Sequence, residues 1–164
     1  MRQREADRIV RLIEHLRDPV TKDHFDLDKF LSESEGNTLK EVLEEKRIGC
    51  GTVGCVLGHM TVLWPRTFKA EYEDPNTAYD VTQKGFETSP RDGIRYWFGF
   101  ISKDPCTCEW WECRCSPTVE DRIIVAMRGG GYLSAAEMAD LFEEALNKYG
   151  FELVEEEYEV EDSE

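Results

Sequence analysis

Ile9, Leu12, Ile13 and Leu16 recur at helical spacing with arginines between them, and Asp18-Pro19 closes the pattern. This predicts an amphipathic helix over residues 5–17 with one face on a core. His15 falls on the flank of that stripe, where a surface or internally satisfied histidine is expected rather than a ligand. Asp26 then caps a short turn that carries Phe25, Leu27, Phe30 and Leu31 inward, and Ser32 to Asn37 reads as a polar loop. Thr38 and Glu41 make a capping box for a half-exposed helix over 38–47 with Leu39, Val42 and Leu43 as its apolar contacts. Thr52 is the expected N-cap of the most apolar helix of the chain, with Val53, Val56, Leu57, Met60, Leu63 and Trp64 running to Pro65. Gly54 and Gly58 cost helix stability, so their presence points to the close approach of another backbone.

From Thr67 to Gln83 the period drops to two: Phe68, Ala70 and Tyr72 alternate, as do Tyr79 and Val81, around Asp74-Pro75-Asn76. That predicts a β-hairpin. Ser89, Pro90 and Asp92 open a further helix burying Ile94, Trp97, Phe98 and Ile101, and Thr118 with Asp121 opens one carrying Val119, Ile123, Ile124 and Met127. The latter stops at Gly129-Gly130-Gly131, which joins two helices and lacks the lysine and the preceding strand of a phosphate loop. Ser134 and Glu137 cap the last helix, with Met138, Leu141, Phe142, Leu146 and Tyr149 inward and Gly150 at C′. Phe151 and Leu153 suit a short strand beside the hairpin. The expected fold is mainly α (α+β): one domain over 1–154 with about six helices and a small hairpin, a Cys-rich loop insertion at 102–117, and an acidic tail over 155–164.

At 164 residues the chain can bury a core without disulfides or metals. Its N-terminus is charged, and no apolar run approaches the ~18 residues of a membrane span. No membrane association and a cytoplasmic location are therefore expected. In a reducing cytosol, six cysteines point to free thiols, metal ligands or catalytic groups before a disulfide framework.

Charge changes the picture more than composition does. The net charge is −15. Residues 1–25 are nearly balanced, with six basic and five acidic groups, whereas residues 137–164 carry twelve acidic groups and only Lys148. Direct nucleic-acid binding is disfavoured, because a polyanion repels such a surface and no basic stripe compensates. A basic protein partner, or imitation of nucleic acid, fits instead. The plainer reading is a solvated tail that keeps a small protein soluble.

Cys50-Gly51-Thr52-Val53-Gly54-Cys55-Val56-Leu57-Gly58-His59 is the place where sulfur chemistry can be tuned. With Thr52 as cap, Cys50 sits at the helix mouth, where the positive end of the macrodipole favours a thiolate. Cys50 is thus the one weak catalytic candidate. His59 sits on the face of Cys55, more than a turn beyond Cys50, and is a poor base for it; His15 or His24 would serve only if the first helix folds over. Cys50, Cys55 and His59 can also be counted as metal ligands, but a fourth is missing and packing explains Cys55 better. Asp26-Leu27-Asp28 is too short for a calcium loop.

The second cluster, Cys106-Thr107-Cys108-Glu109-Trp110-Trp111-Glu112-Cys113-Arg114-Cys115, lies between Pro105 and Pro117. Cys106, Cys108, Cys113 and Cys115 are four soft ligands suited to one zinc, although single-residue spacing within each pair makes the site cramped. Free thiols or a Cys108–Cys113 disulfide remain alternatives. Trp110 and Trp111 at the tip mark a contact surface, or else pack inward as a lid.

The C-G-T-V-G-C-V-L-G-H run, preceded by the first amphipathic helix and by His24-Phe25-Asp26-Leu27, resembles a group of small uncharacterised bacteriophage and bacterial proteins. They carry a C-G-T-x-[AG]-C-x-x-G-[HW] motif followed by a variable hairpin and an aromatic helix, which Tyr96-Trp97-Phe98-Gly99-Phe100 resembles here. The likeness spans residues 5–101; the Cys106–Cys115 run departs from the pattern as an insertion. It implies origin and fold, brings no activity with it, and suits a small protein that redirects host machinery from the host cytoplasm.

The expected function is therefore non-enzymatic: an acidic phage-type protein that binds another, host, protein, with nucleic-acid mimicry as a special case. Trp110, Trp111, Glu155, Glu156, Glu157 and Tyr158 are the expected contact residues. The alternatives are a cysteine enzyme using Cys50 and a zinc-stabilised binding module. Zinc is the only cofactor expected.

Overall fold

The computed structural model describes residues 1–27, 29, 31–32, 38–47, 52–71, 80–83, 97–100, 118–127 and 132–151. Among these are six helices: α1 (Gln3–Arg17), α2 (Pro19–Asp23), α3 (Leu39–Glu44), α4 (Val56–Leu63), α5 (Val119–Met127) and α6 (Ala135–Lys148). Two short antiparallel pairs accompany them. β1 (Leu31–Ser32) pairs with β2 (Val53–Gly54), and β3 (Phe68–Glu71) with β4 (Asp80–Gln83) in the register Phe68↔Gln83 to Glu71↔Asp80. The mainly α fold with a small β component is as the sequence predicts. No helix among the described residues is long and apolar enough to cross a membrane.

α1 buries the predicted stripe Ile9, Leu12, Ile13 and Leu16 together with Ala6. Its most extensive helix contact is α6, whose Met138, Ala139, Phe142, Ala145 and Leu146 are fully buried. Each large side chain removed from water in this way contributes roughly 1.5–3 kcal/mol. Val56, Leu57 and Met60 of α4, Ile123 and Met127 of α5, and Phe98 and Phe100 complete the same core. Phe98 meets Phe142 edge-on at 5.4 Å between ring centres. A smaller cluster of Leu31, Leu39 and Val42, with Leu43 and Val62 against it, seats α3.

The caps explain where helices begin. Thr38 with Glu41 and Ser134 with Glu137 form the two predicted capping boxes, and Thr118 bonds Asp121 in the same way. At Asp18-Pro19 the chain does more than close α1: the Asp18 carboxylate accepts from Val20 N–H and opens α2, with Pro19 at its first position. α6 ends with Gly150 at φ +79, and Gly150 and Phe151 donate back to Asn147 and Leu146. α3 ends in the same bond pattern, Lys46 to Leu43 and Arg47 to Val42, but with a lysine at φ +51.

One boundary departs from the sequence reading. Thr52 does not cap the apolar helix; Cys55 does, three residues later, and Val53–Gly54 forms β2 instead. The pairing of Gly54 with Leu31 and its bridge to Phe25 hold the backbone extended there and delay the helix. The close approach expected at Gly54 is found: its N–H donates to the His24 carbonyl and its carbonyl accepts from Asp26 N–H.

Candidate functional site

The three histidines of the chain converge. His15 is half-buried on the flank of α1, in its last turn, and His24 caps the C-terminus of α2. His59 lies in the first turns of α4, fully buried, its N–H bonded to the Cys55 carbonyl. Because α2 turns the chain back beneath α1, and β2 runs beside residues 24–26, these distant positions meet.

His15 Nε2 is 2.9 Å from His59 Nδ1, and His59 Nε2 is 3.0 Å from the His24 carbonyl oxygen. A carbonyl only accepts, so His59 Nε2 carries the proton of that bond. Burial, followed by the positive fields of His15 and His24, pushes His59 down to about 3, against hydrogen bonds to the backbone of His24 and Gly54 that favour its charged form. His59 is therefore neutral near pH 7, its Nδ1 is an acceptor, and His15 Nε2 is the donor. Burial also lowers His15, with Asp18 opposing and Arg11 assisting. The His24 ring closes the chain, with Nδ1 2.6 Å from the Thr52 carbonyl and Nε2 2.5 Å from the Arg47 carbonyl.

This arrangement joins α1, α2, α3 and α4 through polar bonds inside an otherwise apolar region, beside Phe25, whose ring centre is 5.8 Å from that of His59. Its chemistry is that of a brace. Five of the six imidazole nitrogens in the chain take part in these bonds, and a base as weak as His59 does not take a proton from a thiol near neutrality. Cys55, the N-cap residue of α4, is buried and takes part in no disulfide. No group of three metal-ligating side chains occurs among the described residues.

Of the residues singled out in the sequence, Cys50, Cys106, Cys108, Cys113, Cys115, Trp110, Trp111, Glu155, Glu156, Glu157 and Tyr158 lie outside the described residues. With Cys55 as the N-cap, the residue at the mouth of α4 is Cys55 rather than Cys50. The histidine convergence has no trace in local spacing, since its contacts span 44 and 35 residues.

A separate surface groove of about 390 Å³ runs between α3, α4 and β3, floored by Leu31, Leu39, Val62 and Phe68 and flanked by Lys40 and Lys69. None of the histidines lines it. On α6 the outward carboxylates are partly paired: Arg17 with Asp140 at 3.0 Å and with Glu143, and Arg122 with Glu144 at 2.9 Å. Compared with protein-family models, curated proteins and solved structures, the chain matches none.

Proposed function

We propose that the protein acts by binding another protein that presents a basic face, and that it does so without catalysis of its own. The observation that carries this reading is the charge distribution: −15 overall, with twelve acidic groups against one lysine in residues 137–164. Charges concentrated in this way raise the encounter rate with a cationic surface and repel nucleic acid. The histidines support the non-enzymatic part of the reading, since five of their six ring nitrogens are spent on internal bonds.

In this reading the acidic C-terminal region, with Glu155, Glu156, Glu157 and Tyr158, supplies the electrostatic contact, and Trp110 and Trp111 supply apolar anchors. Zinc on Cys106, Cys108, Cys113 and Cys115 stiffens the loop that carries them; native mass spectrometry finding no metal on protein purified without chelator would remove that part. Imitation of nucleic acid by a phage-type protein in a host cytoplasm is the more specific form. The test is a salt series on the captured complex: affinity falling steeply between about 50 and about 300 mM salt supports the reading. Salt-independent binding contradicts it.

A further inference from the structure

We propose that one face of α1 is a docking surface for a short acidic segment of a partner protein, with the guanidinium groups of Arg4, Arg8 and Arg11 as its receptors. These positions fall at i, i+4 and i+7 of the helix, so one stripe carries all three. In sequence they are interleaved with Glu5, Asp7 and Glu14, and winding the helix sorts them onto one side. At 1.5 Å per residue the stripe is about 10 Å long, a span that about three residues of an extended peptide cover.

Carboxylates are abundant in the chain, 35 acidic against 20 basic groups, yet these arginines take none. Among the described residues Arg2, Arg17, Arg47 and Arg122 each hold a carboxylate, whereas Arg4, Arg8 and Arg11 do not. Asp7, three residues after Arg4, accepts from Gln3 Nε2 at 2.8 Å instead. Like charges at helical spacings of three and four repel, so the stripe costs the helix stability. Burial, with the fields of Arg4 and Arg2 against that of Glu5, holds the Arg8 guanidinium below the usual arginine value. An incoming anion relieves a repulsion that is already present.

Two tryptophans fix the stripe in place. The Arg8 guanidinium lies over Trp97, 3.5 Å from the ring centre, and donates to the Trp97 carbonyl oxygen at 2.8 Å. Arg11 lies 5.8 Å from the ring centre of Trp64. The two indoles meet edge-on at 5.9 Å, and Phe68 packs edge-on with Trp97 at 5.3 Å. A guanidinium held on an indole keeps N–H groups at its edge for a planar carboxylate and has lost side-chain freedom before binding. Arginine and tryptophan are also the residues on which binding energy concentrates. Both indoles are half-buried and Trp97 already carries Arg8, so the rings support guanidinium groups instead of stacking bases. That favours a carboxylate-bearing peptide over nucleic acid. The stripe does not depend on the reading given above for the acidic C-terminal region.

The test is an NMR titration of the full ¹⁵N-labelled chain at about 50 mM salt with a capped hexaglutamate peptide and, in parallel, with hexathymidylate. The peptide is predicted to shift the amides of α1 and the indole N–H signals of Trp64 and Trp97 while the amides of α5 stay put. Arg4→Gln combined with Arg11→Gln removes two exposed charges and leaves Arg8 on Trp97; it is predicted to weaken the peptide about tenfold or more. The proposal is overturned if about 1 mM peptide moves none of these signals, or if the double variant binds it as tightly as the native chain does. Tighter binding of hexathymidylate to the same residues also overturns it, in favour of nucleic acid. Should the variant fail to fold, the shifts of the native chain decide alone.

Discussion

His15 donates to His59 across 2.9 Å, and the direction of that bond is set by a third residue, because His59 must spend its only proton on the His24 carbonyl. One buried, neutral imidazole thereby ties the end of α1 to the start of α4. The first expectation concerns pH. His59 titrates near 6.5 when unfolded and at about 3 when folded, so the unfolded chain binds the extra proton first as pH falls. The stability that His59 contributes is whole above 6.5 and is lost as pH falls toward 3, at about 1.4 kcal/mol per unit. Urea midpoints at about pH 7 and 4.5 should show the native chain losing roughly 2–3 kcal/mol more than His59→Gln does across that interval. Equal losses in the two proteins would remove His59 from the account.

Gly99 is expected to reject any side chain. Its φ is +67, and a Cβ there would stand 2.3 Å from Oε2 of Glu5, a carboxylate 3 % exposed and held by Arg2 N–H at 2.7 Å. The Glu5 carboxylate cannot yield without giving up its bond to Arg2 N–H at the start of α1. Gly99→Ala should cost about 2 kcal/mol or more, from the left-handed backbone and the displaced cap together. A thermal midpoint within a degree of the native chain would contradict this.

Lys46 offers the opposite outcome. Its backbone sits where glycine is usual at a helix end, and its own N–H and that of Arg47 already make both terminal bonds. Lys46→Gly should stabilise by up to about 1 kcal/mol, because relief of the left-handed strain exceeds the extra chain entropy of glycine. Chemical denaturation gives the sign directly.

The boundaries of α3, α5 and α6 were legible in the sequence because Thr38/Glu41, Thr118/Asp121 and Ser134/Glu137 are local devices, complete within four residues. The stripe of α1 was legible for the same reason, every partner lying a turn away. Cys55 replaced Thr52 as the cap of α4 because the decision is made elsewhere, by Leu31 and Phe25 pairing with Gly54. Two-residue strands are too short to carry an alternation, and no composition or spacing brings His15, His24 and His59 together. The Cys50 motif reads as the start of a helix in sequence; in the fold, its Thr52-Val53-Gly54 portion serves instead as a backbone partner for residues 24–32.

The most direct measurement is a comparison of three proteins as bait in a bacterial extract: the full chain, the chain ending at Phe151, and the full chain with residues 152–164 in scrambled order. The scrambled tail keeps the charge and loses the arrangement of Glu155, Glu156, Glu157 and Tyr158. The account predicts a protein retained by the full chain alone, absent from both altered baits and released as salt rises from about 50 to about 300 mM. Identical retained sets for all three baits, unchanged across that salt range, would contradict it.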